Sequence, residues 1–142
     1  MNYDKKVIFE GYKVKTISFD LNPNFVEEKS DYKNKTENIL TVYTTFSGDY
    51  MDMAIHSVIY RDARINNFPF SLEVELSGLF QKNDKNLDIK EFEQIGADIL
   101  YSFVVDIIYE STKLYWGKAI ELPMIDAKDL MNDDNLKIDY DA

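Results

Sequence analysis

There is no cysteine in this 142-residue chain. Disulfides, thiolate metal ligands and a nucleophilic cysteine are thereby excluded, which fits a reducing cytoplasm. Histidine occurs once, as His56. One imidazole cannot build a histidine-based metal site, and a lone histidine in a strand-like run reads as a hydrogen-bonded structural residue. Positive charge is also scarce: 16 Lys and Arg stand against 26 Asp and Glu, a net charge of -10. A surface of that sign repels phosphates, which argues against a nucleic-acid partner and favours solubility and basic protein partners. The opening residues MNYDKKVIFEGYK lack the apolar segment and small-residue cleavage site of a secretory signal. No run reaches the roughly 20 apolar residues that a membrane-spanning helix requires. ILYSFVVDIIYE (99–110), the most apolar stretch, is interrupted by Ser102, Asp106 and Glu110.

Catalytic patterns are missing as well. The chain has no G-x-G-x-x-G, no P-loop and no G-x-S-x-G. NDKNLDIKEFEQ (83–94) has the polarity of a calcium loop but neither its Asp spacing nor its central Gly. Glu73 and Glu75 lie two apart on one strand phase, so they line a solvated sheet face instead of flanking a bond inside a cleft. With no coherent acid, base or metal set, no enzyme activity, cofactor or metal is expected.

What is present describes a globular protein. The apolar fraction of 45% and charged fraction of 30% suit a folded chain, and the length suits one domain spanning 1–142. The first half reads as strands. KVIFEGYKVKTISFD (6–20) alternates, with Gly11 and the offset pair Tyr12 and Val14 suggesting a bulge. Residues 21–38, with Pro23 and several Asn, form a loop. ILTVYTTFSG (39–48) and YMDMAIHSVIYRD (50–62) follow as strands, and INNFPF breaks the pattern at Pro69. FSLEVELSGLF (70–80) has the cleanest period of two: Phe70, Leu72, Val74 and Leu76 on one side, Ser71, Glu73, Glu75 and Ser77 on the other. The short turns favour an antiparallel meander.

The second half is helical from an N-cap at Asp88, with Glu91 completing a capping-box pattern, to a stop near Gly117. Gly96 and Ser111-Thr112-Lys113 mark candidate breaks. Asp98, Ser102, Asp106 and Glu110 recur every four residues and so share one narrow stripe. A surface helix ordinarily has an apolar stripe a little over 100° wide; here the polar stripe is the narrow one. One four-stranded sheet covers one side only. The other apolar side needs a second cover, most simply the same helix of another subunit, the alternative being burial within a single monomer. IDAKDLM (125–131) forms a short amphipathic helix, and the Asp-rich tail 132–142 is frayed or extended, an acidic, flexible end.

Four stretches carry a resemblance: TISFDLNPNF (16–25), FPFSLEVELSGLF (68–80), the long helical segment 97–117, and its continuation to Met131. In strand and helix order and in these motifs, the chain resembles the SecB family of protein-export chaperones over roughly residues 6 to 131. It departs at LYSFVVD, which lacks the family's Pro and Arg, and at YWGKAIELP and LPMID, so it resembles a diverged member. The fold implied is α+β: a four-stranded antiparallel sheet, a long helix and a short C-terminal helix, packed as a dimer of dimers. The function implied is that of an ATP-independent holdase for unfolded or pre-secretory polypeptides in protein export and translocation. The alternative is an adaptor, or a toxin–antitoxin-associated chaperone, with one dedicated partner. Phe25, Trp116 and Leu122 are the candidates for a client groove, with Met and aromatic walls keeping selectivity low. By the motif match Asp20 and Glu73, with Glu75 beside them, occupy the acidic positions that would receive the motor SecA. Ile99, Phe103, Val105 and Ile108 are the expected oligomer interface of a homotetramer.

Overall fold

The period-two run 70–80 is the central feature of the computed structural model, which describes residues 5–33, 36–132 and 135–140. It lies in β4 (Phe70–Lys82), whose Phe70, Leu72, Val74, Leu76 and Phe80 are fully buried while Glu73 and Glu75 are only half-buried. β3 (Tyr50–Ile59) does the same with Met51, Met53, Ile55, Ser57 and Ile59. These two strands, with β1 (Val7–Leu21) and β2 (Thr36–Ser47), form the expected antiparallel four-stranded sheet. The β2–β3 hairpin closes through Ser47 opposite Tyr50, with Gly48 at a φ of 59° in the first turn position. That is the residue a primed two-residue hairpin turn demands. β1 slips in register between Phe9 and Tyr12 and again between Val14 and Thr16. Gly11, at a φ of 108°, sits in the first slip, so the bulge anticipated there is present.

Three details differ from the sequence reading. β2 begins at Thr36, three residues before the first β-branched run. The break around Pro69 contains a four-residue helix, α1 (Ala63–Asn66), bracketed by Asp62 and Asn67 in the left-handed region. The tail expected to be flexible contributes a fifth strand, β5 (Asn135–Tyr140), antiparallel to Thr36–Thr41, and the sheet order is β1-β4-β3-β2-β5. Asn-Leu-Lys-Ile-Asp-Tyr alternates polar and apolar residues, a strand signal hidden inside an Asp-rich stretch. Residues 133–134 and 141–142 of that tail lie outside the described residues.

One long helix, α2 (Ile89–Tyr115), crosses one face of the sheet without a break at Gly96 or at Ser111–Lys113. Gly96 is where it comes nearest to the strands: a Cβ there would stand 2.5 Å from Met51 Cε. Asp88 caps the helix, its Oδ1 accepting the Glu91 N–H at 2.8 Å. Glu91 itself turns to Lys6 Nζ at 2.9 Å. Phe92, Leu100, Val104 and Ile108 are fully buried. Each such side chain contributes about 1.5–3 kcal/mol of hydrophobic stabilisation.

The second cover anticipated for this helix comes in large part from its own chain. α3 (Ala127–Asn132) and the segment before it return along α2; Leu122, Ala127 and Leu130 are buried, and the Tyr101 hydroxyl donates to the Pro123 carbonyl at 2.9 Å. Ile99 and Ile108, expected at a subunit interface, are 4% and 0% exposed in the single chain and so are buried without a partner copy. Phe103 and Val105 are half-buried, and Asp98, Asp106 and Glu110 line the exposed side as their spacing required. The apolar surface left bare lies instead on β1. Val14, Ile17 and Leu21 pair with Leu76, Val74 and Phe70 and so share the helix-side face, yet with Tyr12 they remain between 41% and 55% exposed.

Candidate functional site

Aromatic side chains converge where α2 ends over one end of the sheet. Phe19 of β1 stacks on Phe70 of β4 (4.9 Å between centroids) and leans on Tyr115 (5.3 Å). Trp116, the C-cap of α2, lies 4.9 Å from Phe70 and 5.7 Å from Tyr32. Tyr32 in turn meets Phe25 edge-on at 5.2 Å, and Tyr60 closes the cluster against Phe68 and Phe70. Offset and edge-to-face ring pairs each add about 0.5–1.5 kcal/mol beyond the area they bury. Around the rings stand Leu21, Val26, Leu114 and Tyr115, all exposed, with Leu114 at 75%. The result is an aromatic cluster whose floor, Tyr32, Tyr60 and Phe70, is buried, while Phe19, Phe25, Phe68 and Trp116 are half-buried at the surface and exposed apolar side chains stand at its margin.

The local chain holds this surface firmly. Asn22 is buried; its Nδ2 donates to the Ala63 and Phe68 carbonyls, its N–H to Pro69 O, and its Oδ1 accepts the Asn24 N–H. Asn67 exchanges two hydrogen bonds with Val26, Oδ1 accepting its N–H at 2.8 Å and Nδ2 donating to its carbonyl at 2.9 Å. The loop bearing Phe25 is thus fastened to the β3–β4 connection. On the other side, Thr112 sets the turn after α2: its carbonyl accepts the Trp116 and Gly117 N–H groups, and its hydroxyl accepts the Ile120 N–H at 2.8 Å. Gly117 follows at a φ of 86°. The rim is polar. The Tyr32 hydroxyl donates to Glu27 at 2.8 Å and Lys33 Nζ sits 3.0 Å from the same carboxylate. The Tyr32 bond, then Lys33, hold Glu27 below its ordinary pKa, and the same bond raises that of Tyr32. Burial raises Tyr60, with the Thr36 hydroxyl acting in the opposite direction.

Of the three groove candidates, Phe25 and Trp116 are brought together through Tyr32. Leu122 is 3% exposed and belongs to the core. The sequence reading missed Phe19 and Tyr115 at this surface, and Tyr32 and Phe70 as the buried rings beneath it. They come from strand ends, a loop and a helix end, so no single period connects them; the only signal was their aromatic character beside Asn- and Pro-containing loop segments.

The opposite face of the sheet carries the acidic candidates. Asp20, Glu73 and Glu75 lie on adjacent strands, with Ser71, Ser18 and Thr16 as their cross-strand partners. Asp20 is 3.4 Å from Arg64, and the Glu73 carboxylate accepts from His56 Nε2 at 2.6 Å. His56 is thus a half-buried, hydrogen-bonded strand residue. A shallow hollow of about 300 Å³ at the Gly11 bulge, lined by Glu10, Lys13, Asp52 and Ser77, lies away from the aromatic surface. Among the described residues no group of three or more His, Cys, Asp and Glu is placed to hold a metal, and no helix is long and apolar enough to cross a membrane.

No protein-family model matches the chain. No curated protein matches it either. Solved structures do. The SecB-like chaperone Rv1957 of Mycobacterium tuberculosis, in complex with a ChAD peptide from the Rv1956 HigA1 antitoxin, superposes with a TM-score of 0.61 at 11% identity, covering 84% of this chain and 91% of that one. A protein of unknown function from Streptococcus agalactiae superposes with a TM-score of 0.50 at 19% identity, covering 84% of this chain and 98% of that one. At such identities the likeness is one of architecture, and it agrees with the four-stranded antiparallel sheet, long helix and short C-terminal helix described above: the chain has the SecB-like fold.

Proposed function

We propose that this protein is a nucleotide-independent chaperone that holds extended, unfolded polypeptides on the aromatic surface around Trp116. The observation that carries the reading is the ring-lined surface itself. Eight aromatic side chains from five parts of the chain converge there, with Tyr32, Tyr60 and Phe70 buried beneath the others, and exposed Leu21, Val26 and Leu114 extend the surface. Apolar surface buried by a client contributes about 25 cal/mol per Å², without the directional contacts that would select one sequence. In this reading the protein works in the cytoplasm, keeping clients competent for export. Asp20, Glu73 and Glu75 on the opposite face offer a basic partner an acidic landing site, the place SecA would take. The bare Tyr12–Leu21 strip of β1 and half-buried Phe103 and Val105 suit contact with sister copies in a dimer or a homotetramer.

A second reading has a specific observation in its favour. The structural neighbour from Mycobacterium tuberculosis is bound to a peptide of an antitoxin, so the same scaffold suits a chaperone dedicated to one partner.

Trp116 is the chain's single tryptophan, so its fluorescence reports on the surface directly. Reduced, alkylated lactalbumin, a permanently unfolded probe, is expected to shift that emission, and excess protein without nucleotide is expected to suppress aggregation of a heat-denatured client. Trp116→Ala should weaken suppression severalfold. Absence of both effects at stoichiometric excess overturns the chaperone reading; one stoichiometric partner in a pull-down, with no suppression, favours the dedicated one.

A further inference from the structure

The sheet has two edges, and they are treated differently. β1 is kinked by two register slips and carries Glu10, Lys13, Lys15 and Asp20. Bulges and charges of this kind are how edges are kept from pairing with other chains. β2 has neither. From Asn38 to Ser47 it contains no charged residue and no proline, and it pairs with β3 without a slip.

The hairpin dictates which backbone groups of β2 face outward. Ser47 and Tyr50 flank a two-residue turn and form its closing hydrogen-bonded pair, so the odd-numbered residues turn their amides toward β3. The Glu37 carbonyl obeys this parity, accepting the Tyr60 N–H at 3.0 Å on that side. The even-numbered residues therefore present N–H and C=O to the open edge. Thr36, Asn38 and Leu40 lie opposite Tyr140, Ile138 and Leu136 of β5. The pairing with β5 ends at Thr41 opposite Asn135, and on that outer side Val42, Thr44 and Phe46 have no strand partner among the described residues. Beside them Tyr43 is 57% and Phe46 40% exposed, on opposite faces of the strand.

We infer that the β2 edge is a strand-addition site for an extended, apolar segment of an unfolded polypeptide, with β5 as the chain's own resident competitor on the same edge. β5 shows what kind of occupant fits: an extended segment running antiparallel to Thr36–Thr41. Backbone pairing supplies affinity without sequence selectivity, and alternate side chains meet Tyr43 on one face and Phe46 on the other. The open stretch 42–47 has no charged residue of its own, which favours apolar segments over charged ones. The inference rests on the polypeptide-binding reading above and adds to it a second contact, distant from the Trp116 surface.

Thr44→Pro tests it in the full-length chain. Its N–H points to the open edge, so proline removes no bond to β3; Thr44→Ala controls for the loss of the hydroxyl's bond to Glu93. The unfolded lactalbumin probe is expected to bind Thr44→Pro about tenfold more weakly than the alanine control, the effect of one backbone hydrogen bond. It should also slow hydrogen exchange at Val42, Thr44 and Phe46. Ile138→Pro, which breaks the β5 pairing, is expected to tighten probe binding. Equal affinities for the two Thr44 variants, with unchanged exchange across 42–47, overturn the inference while leaving the Trp116 fluorescence response intact. Loss of self-association in Thr44→Pro with unchanged probe affinity also overturns it, assigning the edge to a second copy. If the wild-type chain fails to bind the probe at all, the chaperone reading falls and this inference with it.

Discussion

At the scale of single residues, the polar stripe on α2 has one uneasy member. Asp98 lies at the point where α3 begins, near Asp126, whose Oδ1 accepts the Lys128 N–H. Partial burial, reinforced by the charge of Asp126, raises the Asp98 carboxyl above its ordinary value of 3.8. A carboxyl whose pKa is higher in the folded than in the unfolded state binds its proton more tightly when folded. The charged form is therefore penalised at neutral pH, and the penalty disappears as pH falls through the folded-state value. Asp98→Asn is expected to raise the melting temperature at pH 7, and the gain should shrink as pH approaches 3.8. Equal gains at both pH values would show that charge is not the cause.

Among the elements, α2 separates two kinds of apolar residue that look alike in sequence. Ile108 is fully buried in the single chain, whereas Val105 is only half-buried. An unpaired charge at position 108 costs several kcal/mol, a large part of the roughly 5–15 kcal/mol that holds a domain folded. Ile108→Asp is expected to unfold the chain. Val105→Asp should keep the wild-type circular dichroism and lower the mass in sedimentation. The four strands, the Gly11 bulge, the Asp88 cap and the length of α2 were all legible, because each follows from local periodicity or from one residue's backbone preference. The covering of α2 was not. The Asn22, Asn67 and Tyr101 hydrogen bonds join residues 22 to 46 positions apart. The return of Leu122–Leu130 along the helix is likewise tertiary, and no local pattern announces it. β5 was legible in principle, but its alternation was outweighed by the surrounding Asp residues.

For the whole molecule, the unshielded apolar strip lies on β1, so association should depend on that strand more than on Ile99 or Ile108. Ile17→Glu with Leu21→Glu is expected to yield single subunits by light scattering with the melting temperature of the parent, since neither side chain is buried in the monomer. Each copy carries a charge of -10, so wild-type assembly should tighten as salt rises and the Debye length falls toward 10 Å at about 0.1 M. The surface around Trp116 will respond differently. Its wall is moored by the carboxamides of Asn22 and Asn67, groups that neither titrate nor attract counter-ions. Where it is anchored by neutral amides the wall keeps its contour through acidification and changes of ionic strength, so the response of the grip to the surrounding solution should be confined to its ionic fastening, Glu27 with Tyr32 and Lys33.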